Sequence, residues 1–252
     1  MNFTKQHSLS YIGNTNNSAK IAKNGKKGVS TYIIYLAPST QSGHNVCPKA
    51  TSECIAACLS ESGHNRIDTS GRINRARIKK TQLFFDTRTE FVNHVAKEIA
   101  NAKKRADKAG LEFSVRLNGT SDLSPILFKG SDGLTLLETF PQIQFYDYTK
   151  VLNRLEKERP ANYHITFSKN ESNDKDCVSA LKLGANVAVV FNTKKGKELP
   201  ESWNGYPVVD GDETDLRFLD PKGGYVVGLR AKGKAKKDVT NFVVHVASSE
   251  MK

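Results

Sequence analysis

Seven short runs of β-branched and aromatic residues punctuate the chain: TYIIYLAPS from position 31, EFSVRLNGTSD from 112, QIQFYDYTK from 142, NYHITFSKNES from 162, NVAVVFNTK from 186, YPVVDGDETD from 206 and GYVVGLRAKG from 224. Each is apolar at consecutive positions, the pattern of strands covered on both faces in a parallel sheet. Between several of them the period changes. From Asn74 to Lys108 the apolar residues Ile78, Leu83, Phe84, Phe91, Val92, Val95, Ile99 and Ala102 recur at helical spacing, which predicts two helices hinged near DTRTE. LSPILFKGSDGLTLLETF and VLNRLEKERP predict shorter crossovers, and KDCVSALKLGA predicts a helix stopped at Gly184. Strand, helix and strand in series predict right-handed βαβ units. The expected fold is α/β, a single-domain TIM-like or partial βα barrel with a mainly parallel sheet. Residues 1–29 then form an N-terminal extension, 30–245 the barrel with a cysteine loop at 39–65, and 246–252 a C-terminal tail.

Every one of these runs begins apolar and finishes in polar groups, which predicts a shared pocket. Asn118, Thr120, Ser121 and Asp122 follow the second, Asp147, Thr149 and Lys150 end the third, and Ser168, Lys169, Asn170 and Glu171 the fourth. Asp210, Asp212 and Asp215 close the sixth, and Arg230 and Lys232 the seventh. In a parallel βα architecture strand C-termini share one rim, and active sites are built there. Candidate acid–base residues are Asp147, Lys150, Asp210 and Asp212. Asn118, Thr120, Asp122, Ser168, Lys169, Arg230 and Lys232 are candidates for holding a polar or anionic ligand. Each has a plainer alternative: DGDE is good turn chemistry and pairs with Arg217, Asp122 can cap a helix, and the cations can be solvated. Alternation puts Phe145 and Asp147 on one strand face and Tyr146 and Tyr148 on the other, so only one pair is expected to face a pocket.

Composition narrows the setting. In 252 residues, 38% are hydrophobic and 25% charged, the proportions of a globular protein. No apolar run is long enough to span a bilayer, and the N-terminus lacks the pattern of a secretory signal. The expected setting is a reducing cytosol. A net charge of +12 favours polyanionic neighbours, with basic residues concentrated in AKIAKNGKKG, in GRINRARIKK with NAKKRADKAG, and in GLRAKGKAKKD. Because no helix-turn-helix, ribonucleoprotein or zinc-finger motif accompanies them, a small molecule or redox partner is expected ahead of nucleic acid.

Three of the four cysteines crowd into the loop after the first run, where Cys47, Cys54 and Cys58 follow C-x6-C-x3-C spacing. A disulfide would leave an odd thiol and need an oxidising compartment. Zinc would need a fourth ligand from His44, His64 or Cys177, and its usual close cysteine pairs are missing. Three thiolates also suit a [4Fe-4S] cluster, whose fourth iron takes another ligand or stays open. Cys177 lies on an amphipathic stretch with Val178, Ala180 and Leu181 and reads as core packing.

A three-cysteine loop directly after the first strand of a βα barrel resembles the cluster loop of radical S-adenosylmethionine enzymes, whose usual spacing is C-x3-C-x2-C. This chain departs from that spacing at both intervals and reads RLNGTSD where those enzymes carry a glycine and glutamate run. The stretches LAPSTQSGHNVCPKATSECIAACL, VRLNGTSDL, FYDYTK, YHITFSKNES, NVAVVF and VDGDETDLRFLDPKGGYVVGLRAKGKAKKD together resemble a bacteriophage family related to the gene product 88 family, over roughly residues 30 to 240. That resemblance implies a phage gene expressed in a bacterial host and a cysteine-rich site in the N-terminal third. The expected function is an iron–sulfur protein using Cys47, Cys54 and Cys58, with redox or radical chemistry on a small anionic substrate. A non-catalytic electron carrier or structural protein and a zinc-containing nucleic-acid-binding protein stand as alternatives.

Overall fold

The computed structural model describes residues 3–15, 19–58 and 68–246. The chain packs as two compact units, and elements are numbered in chain order through both. The first takes in Met1–Pro48, His64–Asp147 and Pro160–His164, the second Lys49–Gly63, Tyr148–Arg159 and Ile165–Lys252.

The first unit holds helices α1 (Phe3–Gln6), α2 (Ala19–Lys26), α4 (Arg72–Asp86), α5 (Arg88–Lys108) and α6 (Leu136–Thr139). Its strands are β1 (Gly13–Asn14), β2 (Val29–Ile34) and β3 (Glu112–Arg116), with the first residues of β4 (Gln144–Thr149) and β5 (Tyr163–Ser168). The hinge expected near DTRTE falls at Thr87, which leaves helical geometry while its hydroxyl donates to the Leu83 carbonyl at 3.0 Å. On α5 the buried positions are Phe91, Val92, Val95, Ile99, Ala102 and Ala106, one continuous stripe. Residues read as an extension are packed here: Ile12 is fully buried, and Glu98 of α5 accepts from the backbone N–H groups of Ile12 and Gly13, each at 3.0 Å.

The second unit holds α3 (Ser52–Ala56), α7 (Asn153–Glu156) and α8 (Asp174–Lys182), with β6 (Val187–Phe191), β7 (Ser202–Trp203), β8 (Tyr206–Asp210), β9 (Val226–Arg230) and β10 (Val243–Val244). Here β6 and β9 pair in parallel from Val187 opposite Val226 to Phe191 opposite Arg230. Helix α8 buries Cys177, Ala180 and Leu181 and stops before Gly184, whose φ of +77° only glycine adopts freely.

Among the described residues the strand order is β1-β2-β3-β4-β5-β6-β9-β8-β7, with β10 joined to β6. Strands β2 and β3, β3 and β4, β5 and β6, β6 and β9, β8 and β9, and β10 and β6 pair in parallel, while β1 on β2 and β7 on β8 are antiparallel. The fold is therefore mixed α/β with a mainly parallel ten-stranded sheet. It differs from the expected TIM-like barrel in that the order does not return on itself, whereas a barrel needs its last strand paired with its first. The short antiparallel strands β1 and β7 occupy the two ends instead. The reading that one face of β4 faces a pocket also differs from what is found. Phe145, Tyr146 and Asp147 are all buried, since a parallel strand is covered on both sides.

Candidate functional site

In the first unit the loops after β2 and β3 are laced together. Gly119 N–H donates to the Ile34 carbonyl at 2.9 Å, Thr120 Oγ1 to the Leu36 carbonyl at 2.5 Å, and Asp122 N–H to the Val46 carbonyl at 2.8 Å. The approach is so close that a Cβ on Gly119 would lie 2.7 Å from the Ile34 oxygen, so the glycine of RLNGTSD is there for lack of space. Cys47 sits in this seam and is half-buried. Its Sγ accepts the Ser39 N–H at 3.4 Å and faces the Thr120 carbonyl at 3.8 Å. Asn45 Oδ1 accepts the Cys47 N–H at 2.9 Å, turning the chain at the thiol.

Behind the seam lies a buried polar cluster. Asp147, 1% exposed, accepts from Asn118 N at 2.8 Å, Asn118 Nδ2 at 3.1 Å and Tyr163 OH at 3.2 Å. Burial pushes its carboxyl up to about 6, against the opposing pull of Arg116, Asn118 and Tyr163. Asn118 also accepts from Ser121 Oγ and Leu123 N–H and donates to the Leu123 carbonyl, so its amide is fully used. The structure thus brings Asn118 and Asp147 together, as partners in the core. A concavity of about 570 Å³ in this unit lies at the opposite strand ends, beside Glu112, Phe113 and Gln144.

In the second unit Thr51 caps α3: its hydroxyl accepts the Cys54 N–H at 3.4 Å and donates to Glu171 Oε2 at 2.7 Å. Glu171 Oε1 accepts the Glu53 N–H at 3.2 Å. A capping box normally places its acid three residues after the cap, where this chain has Cys54; here a glutamate from beyond β5 instead accepts from the cap hydroxyl and from the Glu53 N–H in the first turn. Cys54 and Cys58 are both half-buried. Cys177, by contrast, is buried, its thiol donates to Asn173 Oδ1 at 3.5 Å, and burial pushes it up to about 12. Lys150 Nζ donates to Ser168 Oγ at 3.1 Å. Lys169 is buried, with its ammonium on the carbonyls of Asn170 and Asn241 and 3.1 Å from Asp174 Oδ1.

The remaining candidates form an ion-pair network. Arg230 Nη1 lies 2.7 Å from Asp210 Oδ2 and 3.3 Å from Asp212 Oδ2, and Lys232 Nζ lies 2.5 Å from Asp212 Oδ1. Burial raises the Asp212 carboxyl, but the hydrogen bonds and charges of Lys232 and Arg230 outweigh it and hold the group below its ordinary range. Asp212 N–H donates to Asp210 Oδ1 at 2.8 Å, the expected turn chemistry. Arg217 pairs with Asp220 at 3.3 Å rather than with Asp210 or Asp212.

Cys47 belongs to the first unit, and Cys54 and Cys58 to the second. Among the described residues no group of three or more His, Cys, Asp or Glu side chains is gathered as a metal site. The His44 ring stacks on Phe85 at 4.1 Å, and His64 lies outside the described residues. Sequence reading passed over Ser39, Tyr163 and the capping role of Glu171. A signal existed for Tyr163, because an aspartate inside a run apolar on both faces needs a buried donor. None existed for Glu171, which reaches Thr51 across 120 positions.

These features define an α/β protein with a mainly parallel sheet and a thiol-bearing loop between β2 and α4. A model of the family described as gene product 88 matches residues 4–245, and the chain belongs to that family. This agrees with the phage-protein resemblance of the motifs. No curated protein and no solved structure matches the chain. Among the described residues no helix is long and apolar enough to cross a membrane.

Proposed function

We propose that this is an iron–sulfur protein in which Cys47, Cys54 and Cys58 bind a [4Fe-4S] cluster. The observation that carries the reading is the contrast among the four thiols. The three loop cysteines are half-buried and in no disulfide, while Cys177 is buried in the core. The donor set fits thiolate-bound iron, and the Ser39 N–H on Cys47 Sγ is the kind of hydrogen bond that stabilises a ligating sulfur and tunes its potential. Thr51 and Glu171 hold the first turn of α3 and so fix the backbone that carries Cys54. Loading would draw the three thiolates to one centre, as expected where metal binding and local folding are coupled. Such a cluster supplies one-electron redox chemistry. The departures from C-x3-C-x2-C leave a radical S-adenosylmethionine reaction as an extension of this reading, tested by binding of that ligand to the reduced protein.

The deciding experiment is iron and sulfide analysis of anaerobically purified protein, with absorbance near ~400 nm from thiolate-to-iron charge transfer. Cys47→Ala, Cys54→Ala and Cys58→Ala should each abolish the colour, and Cys177→Ala should keep it. A colourless protein holding stoichiometric zinc, or no metal, refutes the proposal, and loss of iron in Cys177→Ala refutes the ligand set.

A further inference from the structure

The second unit carries a concentration of positive charge that the cysteine loop does not explain. Two segments, residues 193–198 and 230–238, contain eight basic side chains against Glu198 and Asp238. They leave neighbouring parallel strands at the same level, since Phe191 of β6 lies opposite Arg230 of β9 and Ala231 N–H donates to the Phe191 carbonyl at 2.9 Å. Arg230 fastens them together, its Nε and Nη2 donating to the Lys197 carbonyl at 3.1 and 2.7 Å.

Local packing then decides which way the lysines point. Residues Gly233–Lys237 form a 3-10 turn whose Ala235 is buried in a small core with Ala231 and Val243. Anchoring the turn through Ala235 leaves Lys236 and Lys237 exposed, as are Lys194, Lys195 and Lys197 on the neighbouring loop. Three of the nearby acids are engaged. Asp210 and Asp212 are engaged by Arg230 and Lys232, and Asp238 accepts from Thr240 Oγ1 at 2.6 Å and Val243 N–H at 2.9 Å.

We propose that this basic surface, formed by Lys194, Lys195, Lys197, Lys236 and Lys237, is a docking surface for the phosphodiester backbone of nucleic acid. Exposed lysines spread over two adjoining segments suit a repeating polyanion better than a single small anion, and releasing counterions from the polymer drives such binding. The contacts offered are ammonium groups, which meet phosphates rather than base edges, so binding is expected to be independent of sequence. The proposal is independent of the cluster.

The test uses the full chain and fluorescein-labelled oligonucleotides of mixed sequence, single-stranded and duplex, across a salt series. If about four lysines engage phosphates, the slope of log K against log salt on duplex is about −3 to −4. Reversing Lys194, Lys195, Lys236 and Lys237 together to Glu should weaken binding by at least about tenfold and flatten that slope. Reversing the exposed Lys97, Lys104, Arg105 and Lys108 of α5 changes net charge equally and should leave affinity within about threefold. All eight positions are exposed, so unchanged melting curves confirm that both variants fold. Equal losses in the two variants, no binding by the parent protein, or binding to phosphatidylserine vesicles without binding to either oligonucleotide overturns the proposal.

Discussion

Two aspartate clusters at strand ends look alike in sequence and behave in opposite ways. In the first unit Asp147 is buried among mostly neutral donors, and its carboxyl is pushed up to about 6. In the second unit Asp212 is half-buried beneath Arg230 and Lys232 and is held below its ordinary range. The difference lies in the balance of desolvation against charge. Hydrogen bonds from Asn118 and Tyr163 satisfy the Asp147 oxygens without fully offsetting the cost of burying its charge, whereas two cations more than offset the partial burial of Asp212. A polar strand end is therefore a rigid core joint in one place and a surface ion-pair network in the other.

The largest expected effect separates the two clusters by their glycines. Gly119→Ala brings a Cβ against the Ile34 carbonyl, a backbone atom that cannot move aside, and should cost about 2–3 kcal/mol, seen as a fall in Tm of about 5–10 °C. Gly211→Ala meets side-chain atoms only, of the buried Val227 and Arg217 and of Leu229, and should cost less, about 1–2 kcal/mol. Equal losses would remove the distinction between contact with backbone and contact with side chains.

Asn118→Ala comes next. It strips two donors and an acceptor from buried partners and should cost about 2 kcal/mol in urea unfolding. Asp147→Asn tests the electrostatic half of the comparison. The native value near 6 lies above the unfolded value near 4, so this group's contribution to stability declines as pH rises from about 4 through 6. Asparagine has no such term. The cost of the substitution should therefore be greater at about pH 5 than at about pH 7.5, by roughly 1 kcal/mol. A cost independent of pH would mean that Asp147 is not held up by burial. Smallest of all, Arg230→Ala should cost about 1 kcal/mol or less and lose most of that difference in high salt, because its pairs are partly solvated.

Much of the fold was legible. Every apolar run contains a strand, and the helical stripe from Leu83 to Ala102 is buried as read, because burial on both faces or along one stripe leaves a direct mark on residue order. Strands β1, β7 and β10 went unread, since two residues carry no periodicity. At the candidate site the sequence marked which residue types gather after the strands, but not their partners. Asp147 was read as an acid–base candidate and Lys169 as a candidate for holding a ligand; the partners of each, Asn118 and Tyr163 for the first and Asn170 and Asp174 for the second, were not read.

Sequence alone determined the α/β alternation, the break at Thr87, the stop at Gly184 and the concentration of thiols between Cys47 and Cys58, all of which depend on neighbours within a few positions. Only the tertiary structure decided the strand order among the described residues, that Glu171 caps the helix bearing Cys54, and that Asp147 is buried while Asp210 and Asp212 are paired with cations. Those outcomes depend on groups tens of residues apart meeting in space, and on how much water is excluded where they meet, which residue order does not record.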